Sequence, residues 1–363
     1  MKKQMIAVAV AAVFAAPMAM ADAEVYGTAH VSVGQMDDNE NDGSRISMLT
    51  NNSNIGFRGS EDLGGGLKAE YQAETALTWD TGGWGAGRDT FVGLGGDWGA
   101  VRVGRANSPF KNATASLDPF GDTAVDYNNI MGVSSDGNAH DTRLSNAIWY
   151  NSANLSGFAF QAMYQVNDRA GENTKSEPDA MSIGGTYKAG PIFVGAAWQS
   201  LGEAGREVTG GDGIDQDDEA WRIGASYTFK EATMIGLAYE NVNAGQGDVA
   251  PADTKDQDRD AFFVSLSHKM GATTLALSYA DADKVADAAD TSATQIAVGV
   301  TQALSKATSA YAVYGQLSGD ASAPSAYKMA SVAGGSVTPS NDGSGDVEAT
   351  ALMVGVVHKF SSK

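Results

Sequence analysis

Residues 220–241 read AWRIGASYTFKEATMIGLAYEN, and apolar residues alternate through them with small or polar ones almost without error. Trp221, Ile223, Ala225, Tyr227 and Phe229 fall on one face of an extended chain, and Arg222, Gly224, Ser226, Thr228 and Lys230 on the other. After Lys230-Glu231-Ala232, Ile235, Leu237 and Tyr239 alternate with Met234, Gly236, Ala238 and Glu240. A period of two is that of a β-strand, so the stretch predicts a hairpin with one dry face and one wet face.

The same pattern recurs along the chain and predicts sixteen strands, from 24–34 to 346–360, with single continuous strands at 45–59 and 87–95. Short connections such as AGP, KEA and KMG alternate with long ones, which include 35–44, 106–140, 201–217, 244–257 and 318–345. Pro109, Pro119, Pro178, Pro251, Pro324 and Pro339 fall in long loops and Pro191 in a short turn. That distribution suits a sheet, because proline cannot donate to a β-ladder.

An even number of antiparallel strands, with short turns at one end and long loops at the other, is the pattern of an all-β, 16-stranded antiparallel transmembrane β-barrel in a bacterial outer membrane. Lipid offers no partner to backbone N–H and C=O groups, so a membrane sheet must close on itself. The apolar set then faces lipid and the polar set faces a wet interior, where glycines and small residues leave room for water. Trp221, Phe229, Phe158, Tyr164 and Phe360 lie where interfacial aromatics belong. A barrel of this size encloses an aqueous channel. A soluble β-sandwich shares the alternation but explains neither the loop rhythm nor the inward glycines.

The 363 residues carry a net charge of −20 and no cysteine. Residues 1–21 read as a Sec signal peptide: Lys2 and Lys3, an apolar stretch from Met5 to Ala16, and the small-residue site Ala19-Met20-Ala21. The mature domain is then 22–363, a single barrel. So acidic a chain is a poor nucleic-acid binder, since phosphate contacts need lysine and arginine. No GxSxG or HExxH motif occurs, and His30, His140, His268 and His358 lie on distant segments. The chain therefore reads as no enzyme, with no cofactor and no metal centre. Asp212, Asp215, Asp217, Asp218 and Glu219 match no EF-hand spacing and read as a cation-attracting mouth.

The blocks IGFRGSEDLGGGLKAEYQAE (55–74), RDTFVGLGGDWGAVRVGRANSPF (88–110), LSNAIWYNSANLSGFAFQAMYQ (144–165) and VVHKF (356–360) resemble the general trimeric porins of Gram-negative bacteria, in the branch marked by GFRG-x-EDLG-x-G. The resemblance implies a homotrimer that passes small hydrophilic solutes by passive diffusion. It also implies that the third long loop, 106–140, folds inward as a constriction. Asp118, Asp122 and Asp126 would form its acidic side. Arg88 and Arg143 would face them from the wall, with Arg58 and Lys111 as further cations. Arg88 is expected on the face opposite Phe91, and Arg143 on the face opposite Leu144, Ile148 and Tyr150. Pairing with neighbouring wall carboxylates is the other expected role of these arginines.

Many relatives carry arginine where this chain has Asn54, which removes one wall cation. Asn54, Lys68, Glu70 and Glu74 are expected on the lumen wall. Trp84, in the second long loop, and Arg105 are expected at the trimer contact. The terminal HKF resembles the signal read by the outer-membrane assembly machinery, with Ser361-Ser362-Lys363 beyond it. Lipid and lipopolysaccharide are the remaining expected partners. The charge balance predicts weak cation selectivity. Two alternatives remain: a substrate-specific channel with a saturable site, disfavoured because the aromatics expected inward, such as Trp149, Phe263 and Tyr314, are scattered, and a plugged structural or adhesin barrel.

Overall fold

The alternation in 220–241 becomes two strands in register, with Trp221 opposite Asn241, Ile223 opposite Tyr239 and Tyr227 opposite Ile235. Lys230 and Glu231 both take positive φ, 47° and 58°, in the tight turn between them. The computed structural model describes residues 23–37, 44–133, 140–166, 180–202, 218–243, 258–284, 291–320, 327–329, 340–341 and 346–363. The signal peptide expected at 1–21 lies outside the described residues, as do Asp212, Asp215 and Asp217.

The strand segments are β1 (Glu24–Asp37), β2 (Arg45–Thr50), β3 (Asn54–Gly64), β4 (Leu67–Thr78), β5 (Gly83–Gly87), β6 (Thr90–Gly96), β7 (Gly99–Asn107), β8 (Arg143–Ser152), β9 (Phe158–Gln165) and β10 (Ala180–Ala189). They continue with β11 (Ile192–Leu201), β12 (Asp218–Phe229), β13 (Thr233–Asn243), β14 (Asp258–Met270), β15 (Thr273–Ala282), β16 (Ala293–Ala303), β17 (Thr308–Asp320), β18 (Ser340–Asn341) and β19 (Asp346–Ser361). β2 with β3 and β5 with β6 are interrupted strands, and β18 is a two-residue addition, so the segments make sixteen staves. Neighbours pair antiparallel, and β1 pairs with β19 from Tyr26–Ser361 to Asp37–Thr350, which closes the barrel. No helix among the described residues is long and apolar enough to cross a membrane.

Trp221, Ile223, Tyr227, Phe229, Ile235, Leu237 and Tyr239 are exposed on the outside, while Arg222 and Glu240 are buried within. Ser361 continues the ladder opposite Tyr26, and Ser362 exchanges hydrogen bonds with the backbone of Val25. Ser361 and Ser362, beyond Phe360, are thus tied to the first strand.

Residues 109–133 run along the inner face. Ser108 caps helix α1 (Pro109–Thr114) by accepting from Lys111 N at 3.2 Å, with proline in the first turn, where its missing N–H is harmless. The segment passes β11 so closely that a Cβ on Gly195 would lie 2.0 Å from the carbonyl oxygen of Ala113. Leu117, Phe120, Val125, Tyr127, Ile130 and Met131 then bury against Phe263, Val313, Leu317 and Met353 of β14, β17 and β19.

Alternation fails at three places. The strand expected at 87–95 breaks at Arg88–Asp89, and the extra residue shifts its phase. Arg88 reaches Glu74, yet Phe91 faces the lumen too, 5.6 Å from Trp149 between ring centroids and 4.9 Å below the Arg102 guanidinium. The strand expected at 45–59 breaks at residues 51–53. The β7–β8 register shifts between Gly104 and Ala106, with Asn146 at φ 50°, so Leu144 is buried beside Ala147 and Trp149 rather than exposed. Tyr314, expected inward, is exposed outside, because Val313 and Gly315 carry the loop-facing phase of β17.

Candidate functional site

The inner wall of β1–β8 carries charged pairs. Arg88 donates to Glu74 and to the carboxamide oxygen of Asn52, and Tyr26 donates to Glu74 at 2.9 Å. Asn52 Nδ2 donates to Asp122 Oδ1 at 2.6 Å. A continuous polar chain therefore runs from Tyr26 on the wall to the loop tip. Asp89 accepts from Arg143 Nε at 2.7 Å, and Glu70 accepts from both Nε and Nη2 of Arg102. Arg58 pairs with Glu24 at 2.8 Å near the short-turn end and lies over the Tyr26 ring.

Of the wall residues expected from sequence, Arg88 and Glu74 come together, and Arg143 joins Asp89 beside them. Glu70 is engaged by Arg102, and Lys68 is exposed one step further along β4. Asn54 is buried and donates to the backbone carbonyl of Asn52 at 3.1 Å, so it buttresses the break rather than lining open water. Trp84 is 62% exposed on β5, where a long loop was expected. Arg105 donates to the backbone oxygen of Gly87 at 3.1 Å and to Ser145. Asp218, grouped by sequence with the mouth acids, is buried, whereas Glu219 is exposed.

The loop acids divide. Asp122 is exposed at positive φ (63°) and reaches the wall. Asp118 accepts from the backbone N–H of Phe120 and Tyr127, and Asp126 from those of Asp122 and Asn128, so both are turned into the loop. Burial, reinforced by the neighbouring Asp126 charge, pushes the Asp118 carboxyl well above the usual range. Burial and then the Asp122 charge push Asp126 up to about 7. Lys111, on the helix, donates its Nζ to the backbone oxygen of Asp141 at 3.2 Å.

A second cluster fixes the loop and was not singled out by sequence. Glu240 of β13 accepts from Arg222 Nη2 at 2.6 Å, Arg259 Nη2 at 2.7 Å and Gly132 N at 2.7 Å. Arg222 also reaches Asp141 at 2.9 Å and lies 4.3 Å from the Phe110 ring centroid. Arg259 donates to the backbone oxygen of Ile130 at 3.1 Å. Side chains of Arg222, Arg259 and Glu240 are fully buried. Their signal in the sequence is the inward position of Arg222 and Glu240, directly opposed across β12 and β13. Among the described residues no group of three or more His, Cys, Asp or Glu is placed to hold a metal ion.

A family model described as Gram-negative porin matches residues 7–322. Major outer membrane protein P.IB of Neisseria gonorrhoeae is 29% identical over 344 residues, covering 88% of this chain and 94% of that one. Outer membrane porin protein 32 of Delftia acidovorans is 31% identical over 331 residues, covering 87% and 89%. Among solved structures, an anion-selective porin from Comamonas acidovorans is similar with a TM-score of 0.74 at 25% identity, covering 93% of this chain and 99% of that one.

Proposed function

Because the chain belongs to the Gram-negative porin family, outer-membrane channels rather than enzymes, we propose that it forms a water-filled passage for ions and small hydrophilic solutes, with 106–140 as the constriction loop. The observation that carries this reading is the division of the lumen. The loop covers the β10–β17 side, and the opposite wall presents facing charges.

The mechanism is physical. Carboxylates and guanidiniums fixed across a narrow gap orient water and small polar solutes, while an apolar solute must shed that water without compensation. Arg88, Arg143 and Arg58 form the basic side with Lys111, Asp122 is the acid that meets the passage, and Asp118 and Asp126 stiffen the tip.

The reading includes a weak preference for cations. Arg58, Arg88, Arg102 and Arg143 each pair with a carboxylate, whereas Asp122 meets an amide. The Comamonas acidovorans porin is anion-selective, so the two proteins would differ in sign.

Self-association as a homotrimer is part of the proposal, supported by exposed Trp84 beside outward Val92, Leu94, Val101 and Val103. Lipid and lipopolysaccharide would cover the remaining apolar belt. The assembly machinery would read β19, whose Phe360 lies over Gly27.

Planar-bilayer recording of the purified protein in a KCl gradient tests these statements. Current steps in threes, with a reversal potential on the cation side, are expected. Clear anion preference removes the selectivity statement, and folded protein without current removes the channel.

A further inference from the structure

The sheet opens between β2 and β3, and the reason lies in the three residues of the break. Asn51 Nδ2 donates to Ser32 Oγ at 2.9 Å and to Tyr311 OH at 3.2 Å, and Ser53 Oγ exchanges hydrogen bonds with the backbone of His30 at 2.8 Å. Both residues are buried. Two anchored neighbours thus hold Asn52 clear of the ladder, with its side chain directed to the loop tip. Its carboxamide is used at both ends. The oxygen accepts from Arg88, and the nitrogen donates to Asp122 at 2.6 Å.

The geometry points to Asn52 as the specificity-determining residue that seats the loop tip, holding Asp122 and Arg88 apart across one neutral amide. An amide suits this place because it satisfies a cation and an anion at once while adding no charge. Without it the guanidinium and the carboxylate face a common gap, and their attraction draws them together. A directly paired Asp122 no longer presents its charge to a passing cation. This inference rests on the channel reading above and adds to it a residue that sequence did not single out.

The test is single-channel recording of wild type, N52A, D122N and N52A/D122N in a KCl gradient, with trimer content checked by gel migration without heating. N52A leaves the formal charge unchanged, so any shift in ion preference must come from position. A fall in the potassium-to-chloride permeability ratio of about 1.5-fold or more in N52A, absent when N52A is added to D122N, is the expected result. An unchanged or increased ratio in N52A overturns the proposal, and so does an equal N52A effect in the D122N background. Wild-type protein that carries no current defeats the channel reading itself. Wild-type current with N52A indistinguishable from it defeats only the role of Asn52.

Discussion

Removing the Glu240 carboxylate should release residues 109–133 from the inner wall. In E240A two fully buried guanidiniums, of Arg222 and Arg259, lose their shared acceptor, and the backbone N–H of Gly132 loses its partner. Breaking a buried ion pair from one side costs about 3–5 kcal/mol, because the remaining charge stays out of water. Asp141 still faces Arg222 at 2.9 Å, so Arg259 bears most of the loss. At about 1.4 kcal/mol per tenfold change, the docked-to-undocked ratio of the loop falls by two to nearly four orders of magnitude. A neutral contact sets the scale. S265A removes the 2.6 Å bond to the backbone oxygen of Leu117 and should cost only about 1 kcal/mol. Single-channel recording should show E240A with a larger or flickering open level, and limited proteolysis should cut within 109–133. S265A should resemble wild type in both. An E240A channel with wild-type current and an uncut loop would refute the argument that this cluster fixes the loop.

Three further outcomes follow from the same geometry. The raised Asp126 pKa means that the folded loop favours the neutral acid. Its contribution to loop stability is full below the ordinary value of 3.8 and is lost as pH rises through about 7. Cation preference should therefore grow between pH 5 and pH 8, and reversal potentials of D126N should show a flatter pH profile; an equal slope contradicts the assignment. G195A sets a methyl against the Ala113 carbonyl 2.0 Å away, so helix α1 must shift at a cost of about 1–3 kcal/mol. Faster proteolysis of the loop is expected, and an unaltered digest speaks against this close approach. R88Q leaves Glu74 without its cation and should raise the potassium-to-chloride permeability ratio, whereas D122N should lower it; shifts of the same sign would exclude facing charges across one passage.

The strands were legible because alternation is local, and each stave repeats it over many residues. The breaks were not. At Arg88–Asp89, at 51–53 and around Asn146 one residue or a few leave the ladder, and everything beyond changes face; the pattern on either side looks equally regular. Phe91 and Leu144 were misassigned for that reason. The pairing of Arg88 and Arg143 with wall carboxylates was foreseen as their other role. The division of the loop acids was not visible, because Asp118 and Asp126 accept from nearby backbone only once the 3₁₀ turns have formed. The buried cluster was hidden differently. Arg222 and Glu240 point inward as expected, but so do Lys68, Glu70 and Glu74. What selects Glu240 is the loop resting on it, through Gly132, 108 residues earlier in the chain.

That long-range contact also changes the meaning of the small inward residues. Sequence reads glycine and alanine on the inner face as room for water. On β13–β17 they are room for the loop: Ala238, Ala261, Ala280 and Ala297 are buried in one cluster with Leu117, Phe120 and Val125. Larger side chains there would hold the loop off the wall and into the passage. On β3, β4 and β7 the inward positions carry Arg58, Glu70, Glu74 and Arg102 instead, long chains whose charged heads are held in ion pairs along the wall. The unequal distribution of inward volume makes one side a bed for an apolar loop and the other a charged wall. The inner face is thus divided by residues that, taken strand by strand, look like ordinary lumen lining.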